Sequence, residues 1–583
     1  MKKAETLVSL VDNSAEKFPK RIAITSEITG EQYTYPQLRE NSLRISNALL
    51  QRGIGKGDYI AVISDNIPEF IFADYGILYT GAASVPINQN LKPENLLEDY
   101  LRFVKPKVIL AEGKYTEKVR RYSNGTPIIS LEEALKAEPK RPDVEISQDD
   151  IAAIIFSSGT SSETERAFKA IQLSHENLAS NIISNEDLII RAEKRDGVSQ
   201  GVYITGLVRQ WHSFEYMVQK AFLYGGALLD FTNIQRFQKG NSGAQINPHY
   251  MLMVPKFANV LMNEIKEQIK NKSEKTYKLF NWFLENSNQY NYEWVNNGKF
   301  DSKKWLLHQV AEQLFYKKIR KELEKKFGKN LLYMVGGSAP LPLETQMFFE
   351  SIGMPIYQGY GLTETSPVVS VNTPEKKRFG SSGKPIEGVD VMIAEQESTK
   401  NRKIRITEEG KEGLILTKGP NVFKGYLNDE AATLKSFIGG WFNTGDLGFM
   451  KEGYLYVTGR EDYICKLNGE KTNPSRIETH YSARGLDILL VGNKQNNDGA
   501  FIIADSKMKK RLKEGLQEKE LISEVCNNQL ADSKQKFGIN FSPRNVAIIT
   551  DLDEHPELTT GTLKVRRKLV EKHYASLIKQ ICN

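Results

Sequence analysis

The segment that decides how this chain is interpreted is Gly359-Tyr360-Gly361-Leu362-Thr363-Glu364-Thr365-Ser366-Pro367. An apolar run, Met354–Tyr357, precedes it and predicts a strand, so we expect the polar residues on a turn at a sheet edge. A nucleotide site needs a ring that stacks on a base, close backbone approach, a phosphate donor and a Mg²⁺ ligand. The segment offers all four and therefore predicts such a site, although similar strings also occur in ordinary turns.

Three further blocks of the sequence extend this pattern. The apolar run 151–155 predicts a strand that leads into a hydroxyl-rich loop. The other two blocks lie in the last third of the chain. The blocks are Phe156-Ser157-Ser158-Gly159-Thr160-Ser161-Ser162 followed by Lys169, Gly440-Trp441-Phe442-Asn443-Thr444-Gly445-Asp446 followed by Gly459-Arg460-Glu461-Asp462, and Leu563-Lys564-Val565-Arg566-Arg567.

In this order the four blocks resemble the adenylate-forming superfamily of acyl-CoA synthetases, luciferases and nonribosomal adenylation domains. The resemblance runs from Tyr33-Thr34-Tyr35 to Lys564 and so covers nearly the whole chain. One block alone is weak evidence, whereas four in order are strong. The resemblance implies ATP and Mg²⁺ as cofactors and coenzyme A as an acceptor substrate.

Composition excludes several other classes of protein. The chain of 583 residues is too long for a single core, and its net charge of +7 fits anionic substrates or acidic lipid surfaces. We find no basic stripe interleaved with aromatics and no zinc-finger or RNA-binding signature, so we expect no nucleic-acid partner. The three scattered cysteines, Cys465, Cys526 and Cys582, argue against disulfides or a metal cluster and favour a reducing compartment.

The order of predicted elements indicates an α/β fold. The patterns predict a helix over Pro36–Leu50, a strand over Tyr59–Ser64, a helix over Pro68–Tyr79 and a strand over Gly81–Pro86. Alternation of this kind predicts βαβ units with parallel strands.

We expect two domains. Residues 1–460 should form a large N-terminal region of several subdomains, with mixed and parallel sheets packed by helices. The character of the sequence changes around Arg460–Asp462, and residues 461–583 should form a small mobile α/β domain.

The segment Lys256–Lys329 differs from its surroundings because it is helical in rhythm and rich in Lys, Glu and aromatic residues. The simpler interpretation, which we favour, is a helical insert with solvated charged faces and aromatics in its own core. The alternative is an apolar lid or a membrane-facing surface.

The resemblance assigns roles to matching positions. Tyr360, next to Gly361, would stack on adenine, Thr363 would donate to the α-phosphate, and Glu364 would bind Mg²⁺. The alternative is an ordinary strand-to-helix turn for the segment around Gly337 and a solvated turn residue for Asp446. The remaining assignments are Gly337, Ser338 and Ala339 beside the adenine and acyl pockets, Asp446 and Arg460 at the ribose, Asp462 as the hinge, and Lys564 as the lysine that enters the site for adenylation.

The phosphate loop departs from the family pattern, which runs Ser-Gly-Thr-Thr-Gly, any residue, Pro-Lys-Gly. Ser158, Gly159, Thr160 and Ser161 match its start and would bind phosphate, with Thr160 also near the metal and Lys169 adding a catalytic charge. The later glycines and the proline are replaced, about four residues are added, and Glu163 and Glu165 bring negative charge. Either the loop is remodelled and active, which we favour, or phosphate binding is impaired.

His212-Ser213-Phe214-Glu215 resembles the His-any-Phe-Glu segment near the acyl pocket of long-chain acyl-CoA synthetases, so His212 and Gly337 are expected to line that pocket. The function implied is activation of a long-chain fatty acid to acyl-AMP, followed by transfer to coenzyme A. The alternatives are transfer to acyl carrier protein and a non-catalytic binder with a decayed phosphate loop.

The expected location is the cytoplasm. No apolar run is long enough to span a bilayer, and the basic start has no apolar core behind it, as a signal peptide would have. Because a fatty acid partitions into bilayers, we also expect transient peripheral contact with the inner face of the membrane.

Overall fold

The computed structural model describes residues 5–91, 94–158, 168–232, 237, 245–398, 402–463, 465–467, 470–492, 498–559 and 565–582. They form an α/β structure of five sheets surrounded by helices, with a large N-terminal region and a smaller C-terminal one, which confirms the predicted fold class.

The helices and strands are numbered here in chain order. The first half of the chain contains α1 Leu7–Lys17, β1 Ile22–Ser26, β2 Gln32–Thr34, α2 Tyr35–Leu50, β3 Tyr59–Ile63, α3 Pro68–Tyr79, β4 Ala83–Pro86, α4 Leu96–Val104, β5 Val108–Ala111, α5 Thr116–Tyr122, β6 Ile128–Ser130, α6 Leu131–Ala134, β7 Ile151–Ser158, β8 Phe168–Ser174, α7 His175–Asp196, β9 Val202–Thr205, α8 Ser213–Tyr224, β10 Leu228–Phe231, β11 Tyr250–Met253, α9 Pro255–Lys272 and α10 Glu274–Asn297.

The second half contains α11 Ser302–Ala311, α12 Lys317–Phe327, β12 Tyr333–Gly336, α13 Leu343–Ser351, β13 Ile356–Gly361, β14 Val368–Val371, β15 Lys384–Pro385, β16 Asp390–Ala394, β17 Gly413–Lys418, β18 Gly425–Tyr426, α14 Glu430–Lys435, β19 Phe437–Ile438, β20 Trp441–Lys451, β21 Tyr454–Arg460, β22 Cys465–Leu467, β23 Glu470–Thr472, α15 Pro474–Ser482, β24 Ile488–Gly492, β25 Asp498–Ile503, α16 Ser506–Lys513, α17 Glu518–Asn528, α18 Ser533–Phe537, β26 Val546–Ile549, α19 Arg567–His573 and α20 Ala575–Ile581.

Two large sheets organise the N-terminal region. One has nine strands in the order β15-β14-β13-β12-β11-β9-β10-β1-β2, and the other has seven in the order β18-β8-β7-β4-β3-β5-β6. The predicted βαβ unit is present, because β3 and β4 are parallel with Tyr59 opposite Ala83, and α3 connects them. Eleven of the twelve residues of α3 are buried, as expected for a helix that is apolar all round.

The sequence predicts a turn at a sheet edge for Gly359–Gly361, and the structure shows that this prediction is wrong. The segment forms the carboxyl end of β13, which pairs with β12 on one side and β14 on the other. Gly361 allows this arrangement, since a Cβ there would lie 1.7 Å from the carbonyl oxygen of Pro367. The turn begins only afterwards, as a 3₁₀ turn over Thr363–Thr365.

The segment from α9 to α12 is helical, as predicted, but its aromatic residues divide between two environments. Phe280 and Phe283 are buried against the core, whereas Trp282, Trp294 and Trp305 are 41–50% exposed. The favoured expectation, that the aromatics fill the insert's own core, is therefore wrong for these three tryptophans.

The C-terminal residues have hydrophobic clusters of their own, built on the sheet β24-β25-β26 and the helices beside it. They contact the N-terminal region through α9, where Lys256 pairs with Asp487 at 2.9 Å and Asn259 donates to Ser482. Among the residues described, no helix combines the length and apolar character needed to cross a bilayer.

Candidate active site

A cavity of about 770 Å³ lies at the carboxyl ends of β12 and β13. Residues predicted from three of the four sequence blocks line it, and so does Arg566 from the fourth. The cavity has two chemically different parts, which we call the polar end and the apolar end. The polar end is lined by Lys169, Tyr360–Glu364, Tyr426, Asn443–Gly445, and Arg460–Asp462, and the apolar end by residues of α8 and β12.

The central strip of the polar end is Tyr360–Glu364. The amide of Leu362 donates to Oγ1 of Thr365 at 2.9 Å, which closes the 3₁₀ turn and directs Thr363 and Glu364 to the cavity. The hydroxyls of Thr363 and Ser213 lie 3.1 Å apart, so the strip is joined to the first residue of α8. A hydroxyl pair and a carboxylate thus meet at one point.

Glu364 has two neighbours in the cavity, Tyr426 and Lys169. The Tyr426 hydroxyl donates to the carboxylate at 2.9 Å, and burial, followed by the charge of Glu364, raises the pKa of Tyr426 above its ordinary value. Lys169 Nζ lies 4.3 Å from the centre of the Tyr426 ring. Burial lowers the pKa of Lys169, although the Glu364 carboxylate opposes that shift.

These contacts fit a magnesium ion carried by nucleotide phosphates. Mg²⁺ prefers carboxylate and phosphate oxygens, and Glu364 offers a carboxylate on the cavity wall. Lys169 adds a positive charge beside the same acid, which suits an anionic ligand. Thr160, the other metal ligand predicted from sequence, lies outside the described residues.

Asp446 joins the ring of Tyr360 to the hinge. It accepts a hydrogen bond of 2.7 Å from the Tyr360 hydroxyl and lies 3.4 Å from Nη1 of Arg460, which stands opposite it in the β20–β21 ladder. Arg460 Nε also donates to Asp462 at 3.1 Å. Burial opposes the charge of Arg460, but Asp446 and Asp462 outweigh it and raise the pKa of the guanidinium.

Asp446 itself is only 7% exposed and lies behind the cavity wall, which Thr444, Gly445 and Arg460 form at this place. Its carboxylate therefore holds the Tyr360 hydroxyl and the Arg460 guanidinium in place. Asp462, the predicted hinge residue, also pairs with Lys568 of α19 at 3.5 Å. It thus contacts residues on both sides of the predicted domain boundary.

The start of α8 lies between the two ends of the cavity. His212 is the N-cap of the helix, where its Nδ1 accepts from the amide of Phe214 at 3.3 Å. The ring of Phe214 sits on Gly337, where a Cβ would come within 2.9 Å of it, so a larger residue there would require the ring to shift. Ser338 beside it has a positive φ of 68° and lines the cavity, whereas Ala339 is outside its lining.

Glu215 anchors the first turn of α8. Its carboxylate is fully buried and accepts hydrogen bonds from the hydroxyls of Tyr203 and Thr205 and from the Gln219 amide. Burial raises its pKa to about 7, although these hydrogen bonds oppose the shift. The helix start is therefore fixed to strand β9.

The apolar end is a slot between α8 and β12. Phe214, Met217, Val218, Ala221 and Phe222 line it from the helix, and their spacing puts them on one helix face. At 1.5 Å per residue, the positions 214 to 222 span about 12 Å. The facing positions, from Gly337 directly after β12 back to Tyr333 at the start of that strand, span about 13 Å at 3.3 Å per residue. The two lengths agree.

Aromatic rings close the far end of the slot. The ring of Phe222 stacks on Tyr203 at 4.4 Å and contacts Tyr250 at 5.2 Å. Tyr250 in turn contacts Tyr333 at 5.0 Å. Phe222 and Tyr333 form the floor of the apolar end, and Tyr203 and Tyr250 pack behind them.

Comparison with known proteins now identifies the family. A model described as "AMP-binding enzyme" matches residues 11–427, and one described as "AMP-binding enzyme C-terminal domain" matches residues 461–583. The chain belongs to the AMP-binding enzyme family. This confirms the prediction, made from the four sequence blocks, of an adenylate-forming, acyl-activating ligase.

Relatives of this AMP-binding enzyme include two fatty-acid ligases. "Long-chain-fatty-acid--CoA ligase FadD15" of Mycobacterium bovis is 26% identical over 92% of this chain and 90% of its own. "Long-chain-fatty-acid--[acyl-carrier-protein] ligase AEE15, chloroplastic" of Arabidopsis thaliana is 25% identical over 98% of this chain and 85% of its own. The solved structure of ATP-bound MatB from Rhodopseudomonas palustris has the same fold, with a TM-score of 0.72 at 19% identity over 98% of this chain and 99% of that one.

Most of the predicted site residues of this AMP-binding enzyme are within the described part of the chain. The structure brings together Lys169, Tyr360, Gly361, Thr363, Glu364, Arg460 and Asp462 at the polar end, with Asp446 behind them, and His212, Gly337 and Ser338 between the two ends. Gly159, Thr160, Ser161, Lys564 and the side chain of Ser158 lie outside what is described.

Sequence reasoning missed several residues that line the cavity of this enzyme. Tyr426 follows Gly425 just as Tyr360 follows Gly359, and this repeated Gly-Tyr pair was the available signal. Ser213 and Arg566 lay inside quoted motifs but received no role. The floor residues Phe222 and Tyr333 carried no motif.

Proposed function

We propose that this enzyme activates a fatty acid with ATP and transfers the acyl group to the thiol of coenzyme A. One observation carries the proposal. A single cavity joins a polar end, built from the family's nucleotide motifs, to an apolar slot with no charged lining on α8 or β12 among the residues described. A cavity of this shape suits a substrate with a carboxylate at one end and a hydrocarbon chain at the other.

In the first step, an oxygen of the fatty-acid carboxylate attacks the α-phosphorus of ATP and pyrophosphate leaves, so the product is acyl-AMP. Negative charge builds on the phosphate oxygens, and positioned donors and cations stabilise it. The paired hydroxyls of Thr363 and Ser213 are suited to donate there, and Lys169 is a cation close to Glu364. Mg²⁺, when bound, neutralises phosphate charge, and Glu364 is the described residue suited to hold it.

In the second step, the thiolate attacks the activated carbonyl and AMP leaves, so a thioester forms. We assign the change between steps to movement of residues 461–583 about Asp462. The contacts of Asp462 with Arg460 and Lys568 support this assignment, because they would have to exchange when the two regions move apart. We assign Lys564 to the first step on the strength of its motif.

The length of the slot bears on the acid. A staggered carbon chain with bonds of about 1.5 Å and angles of about 111° advances roughly 1.25 Å per carbon. A slot of about 12 Å therefore holds roughly ten carbons. Acids of that length fit the cavity as described, and longer ones require Phe222 or Tyr333 to turn aside.

Exchange of pyrophosphate into ATP, measured with short, medium and long saturated acids, tests the activation step. Exchange should depend on a fatty acid and should then give thioester when coenzyme A is added. The relative named for an acyl-carrier-protein substrate makes that protein the second acceptor to test. Exchange without thioester formation from coenzyme A would favour acyl carrier protein as the acceptor. No exchange with any acid would favour a non-catalytic binding protein with a decayed phosphate loop.

Substitution Lys564→Ala separates the two steps. Acyl-AMP formation should fall by about 10²-fold or more, because a cation that contacts developing charge is lost. Capture of supplied acyl-AMP by the thiol should change little. Equal loss of both steps would contradict the assignment, and Lys572→Ala, which removes an exposed lysine of α19, is the matched control.

A further inference from the structure

Exposed apolar side chains are concentrated on one helical hairpin, which consists of α10, α11 and the π-helical turn Glu312–Tyr316 after α11. Of the fourteen large apolar residues exposed in the described parts of the chain, eight fall between positions 279 and 314. Three of the five tryptophans are among them. The eight are Leu279, Trp282, Trp294, Phe300, Trp305, Leu306, Val310 and Leu314, and each is 39–58% exposed.

The hairpin has an aromatic tip and an aliphatic stripe. At the tip, the ring of Phe300 lies 5.9 Å from Trp294 and 6.4 Å from Trp305. The stripe, Leu306–Val310–Leu314, follows the tip at intervals of four residues. Leu306 and Val310 lie on one side of α11, and Leu314 lies in the π-helical turn Glu312–Tyr316 that follows that helix. Together the tip and the stripe form a contiguous apolar surface, and such surfaces on soluble proteins mark sites of interaction.

The hairpin is held firmly, so its exposed rings are a fixed feature. Its inner side packs Phe280 and Phe283 into the core. Asn291 donates to Ser351 at 2.9 Å, and Asn296 exchanges hydrogen bonds with the backbone of Phe379. The apolar surface therefore cannot be covered by rotating the hairpin without breaking buried contacts.

Positive charge surrounds the surface. Between residues 274 and 321 the chain has nine lysines or arginines and five acids. Exposed lysines stand at both ends of the stripe, Lys303 before Leu306 and Lys317 and Lys318 after Leu314. Lysine is depleted in protein–protein interfaces, whereas tryptophan at headgroup depth with flanking lysines is typical of surfaces that lie on an anionic bilayer.

We propose that this hairpin docks the protein on an anionic lipid surface. Trp294, Phe300 and Trp305 enter the boundary between headgroups and acyl chains, and the lysines remain at the level of the lipid phosphates. The surface is separate from the cavity lining, so it serves to bring the protein to the membrane rather than to bind the reacting acid. The proposal does not depend on the acceptor or the acid used.

Flotation with vesicles tests the proposal without ATP or fatty acid. The whole protein is mixed with phosphatidylcholine vesicles or with vesicles that also contain phosphatidylglycerol, at low and high salt. We expect binding to the anionic vesicles that weakens with salt. Recovery of the protein in the unbound fraction with anionic vesicles at low salt would overturn the proposal.

Two surface variants and one control locate the contact. Trp294→Ser combined with Phe300→Ser and Leu306→Ser should lower the vesicle partition coefficient by about tenfold or more. Lys303→Glu with Lys317→Glu and Lys318→Glu should abolish the preference for anionic lipid. Ile406→Ser with Ile28→Ser removes exposed apolar residues elsewhere and should bind as the parent does. Equal binding by parent and aromatic variant would overturn the proposal.

Two further measurements exclude other occupants. Lipids brominated near the headgroup should quench tryptophan fluorescence in the parent and much less in the aromatic variant. Light scattering after gel filtration gives the oligomeric state of both. A parent dimer that the aromatic variant converts to a monomer would show that a second copy covers the surface, which contradicts lipid docking. Unchanged unfolding temperature in the variant establishes that it is folded.

Discussion

The two ends of the cavity are built on different physical principles. At the polar end, directed hydrogen bonds link Tyr360 to Asp446 and Tyr426 to Glu364, so each group has one position. At the apolar end, stacked rings and aliphatic side chains of α8 and β12 fill space without direction. Dispersion contacts tolerate changes of size that a hydrogen-bonded pair does not. Substitutions at the polar end should therefore slow every acid equally, and those at the apolar end should reorder the acids.

The largest effect is expected for Glu364→Gln at the polar end. The amide keeps the shape of the side chain but loses the charge suited to Mg²⁺ and the strong acceptor for the Tyr426 hydroxyl. The rate of ATP–pyrophosphate exchange should fall by about 10²- to 10³-fold, by the same factor for short and long acids.

The matched control is Glu430→Gln, which neutralises an exposed acid in the first turn of nearby α14. It should leave the exchange rate unchanged. If the loss of exchange rate in Glu364→Gln increases with acid length, the polar end also interacts with the acyl chain. That result would contradict the proposed difference between the two ends.

Glu215 joins the two ends, since it fixes the start of the helix that serves both. Its pKa is raised from 4.5 to about 7, so the folded state holds a proton that the unfolded chain has lost in that range. The stabilisation is complete below pH 4.5 and is lost as the pH rises to about 7, by about 3 kcal/mol in all.

Substitution Glu215→Gln should remove this dependence. The amide stays neutral, so the fall in unfolding temperature between pH 4.5 and pH 8 should be smaller than in the parent. Thermal unfolding followed by circular dichroism measures this decrease in unfolding temperature. The control is Glu285→Gln at an exposed position, which should show the same decrease as the parent. An equal fall in Glu215→Gln would show that the carboxyl is not protonated in the folded protein.

The two ends also differ in how far the sequence predicts them. Tyr360, Thr363 and Glu364 fall in one short stretch because a turn at the end of a strand presents neighbours in sequence to the same ligand. Motifs of this kind need particular atoms, so they survive as readable strings. The position of β13 inside its sheet was not predicted, because it depends on β14 returning beside it.

The apolar end had no readable string, because many apolar residues satisfy it equally well. Phe222 and Tyr333 are 111 positions apart in sequence and meet only through the packing of α8 on the nine-stranded sheet. The periodicity of α8 predicts a buried helix but does not say that one of its faces is a cavity wall. The exposure of the hairpin tryptophans was not predicted for the same reason, because periodicity does not distinguish an exposed side of a helix from a core-facing one.

Substitution Ala221→Leu narrows the slot beside its floor, since Ala221 directly precedes Phe222. One methylene in an apolar pocket changes discrimination by roughly 10- to 200-fold. Leucine has three more carbons than alanine, so kcat/KM for the longest accepted acid should fall by about 10²-fold, toward the upper part of that range. Acids too short to reach position 221 should be unaffected, and so should the KM for ATP. Val218→Ala makes the opposite change and should favour longer acids. An equal loss of kcat/KM for acids of every length in Ala221→Leu would show that the substitution disturbs the polar end.

The smallest effect is expected for Tyr426→Phe. The ring stays beneath Lys169, and only the hydroxyl that donates to Glu364 is lost. A hydrogen bond to a charged group is worth about 1.5 kcal/mol at the low end of its range, and that end applies because water in the open cavity replaces the donor. We therefore expect kcat/KM to fall roughly tenfold for every acid. Tyr456→Phe is the control outside the cavity lining. The fall in kcat/KM is measured with short and long acids. If the fall is the same for all of them, the hydroxyl acts through the Glu364 carboxylate alone. If the fall increases with acid length, Tyr426 contacts the acyl chain and the division between the two ends is lost.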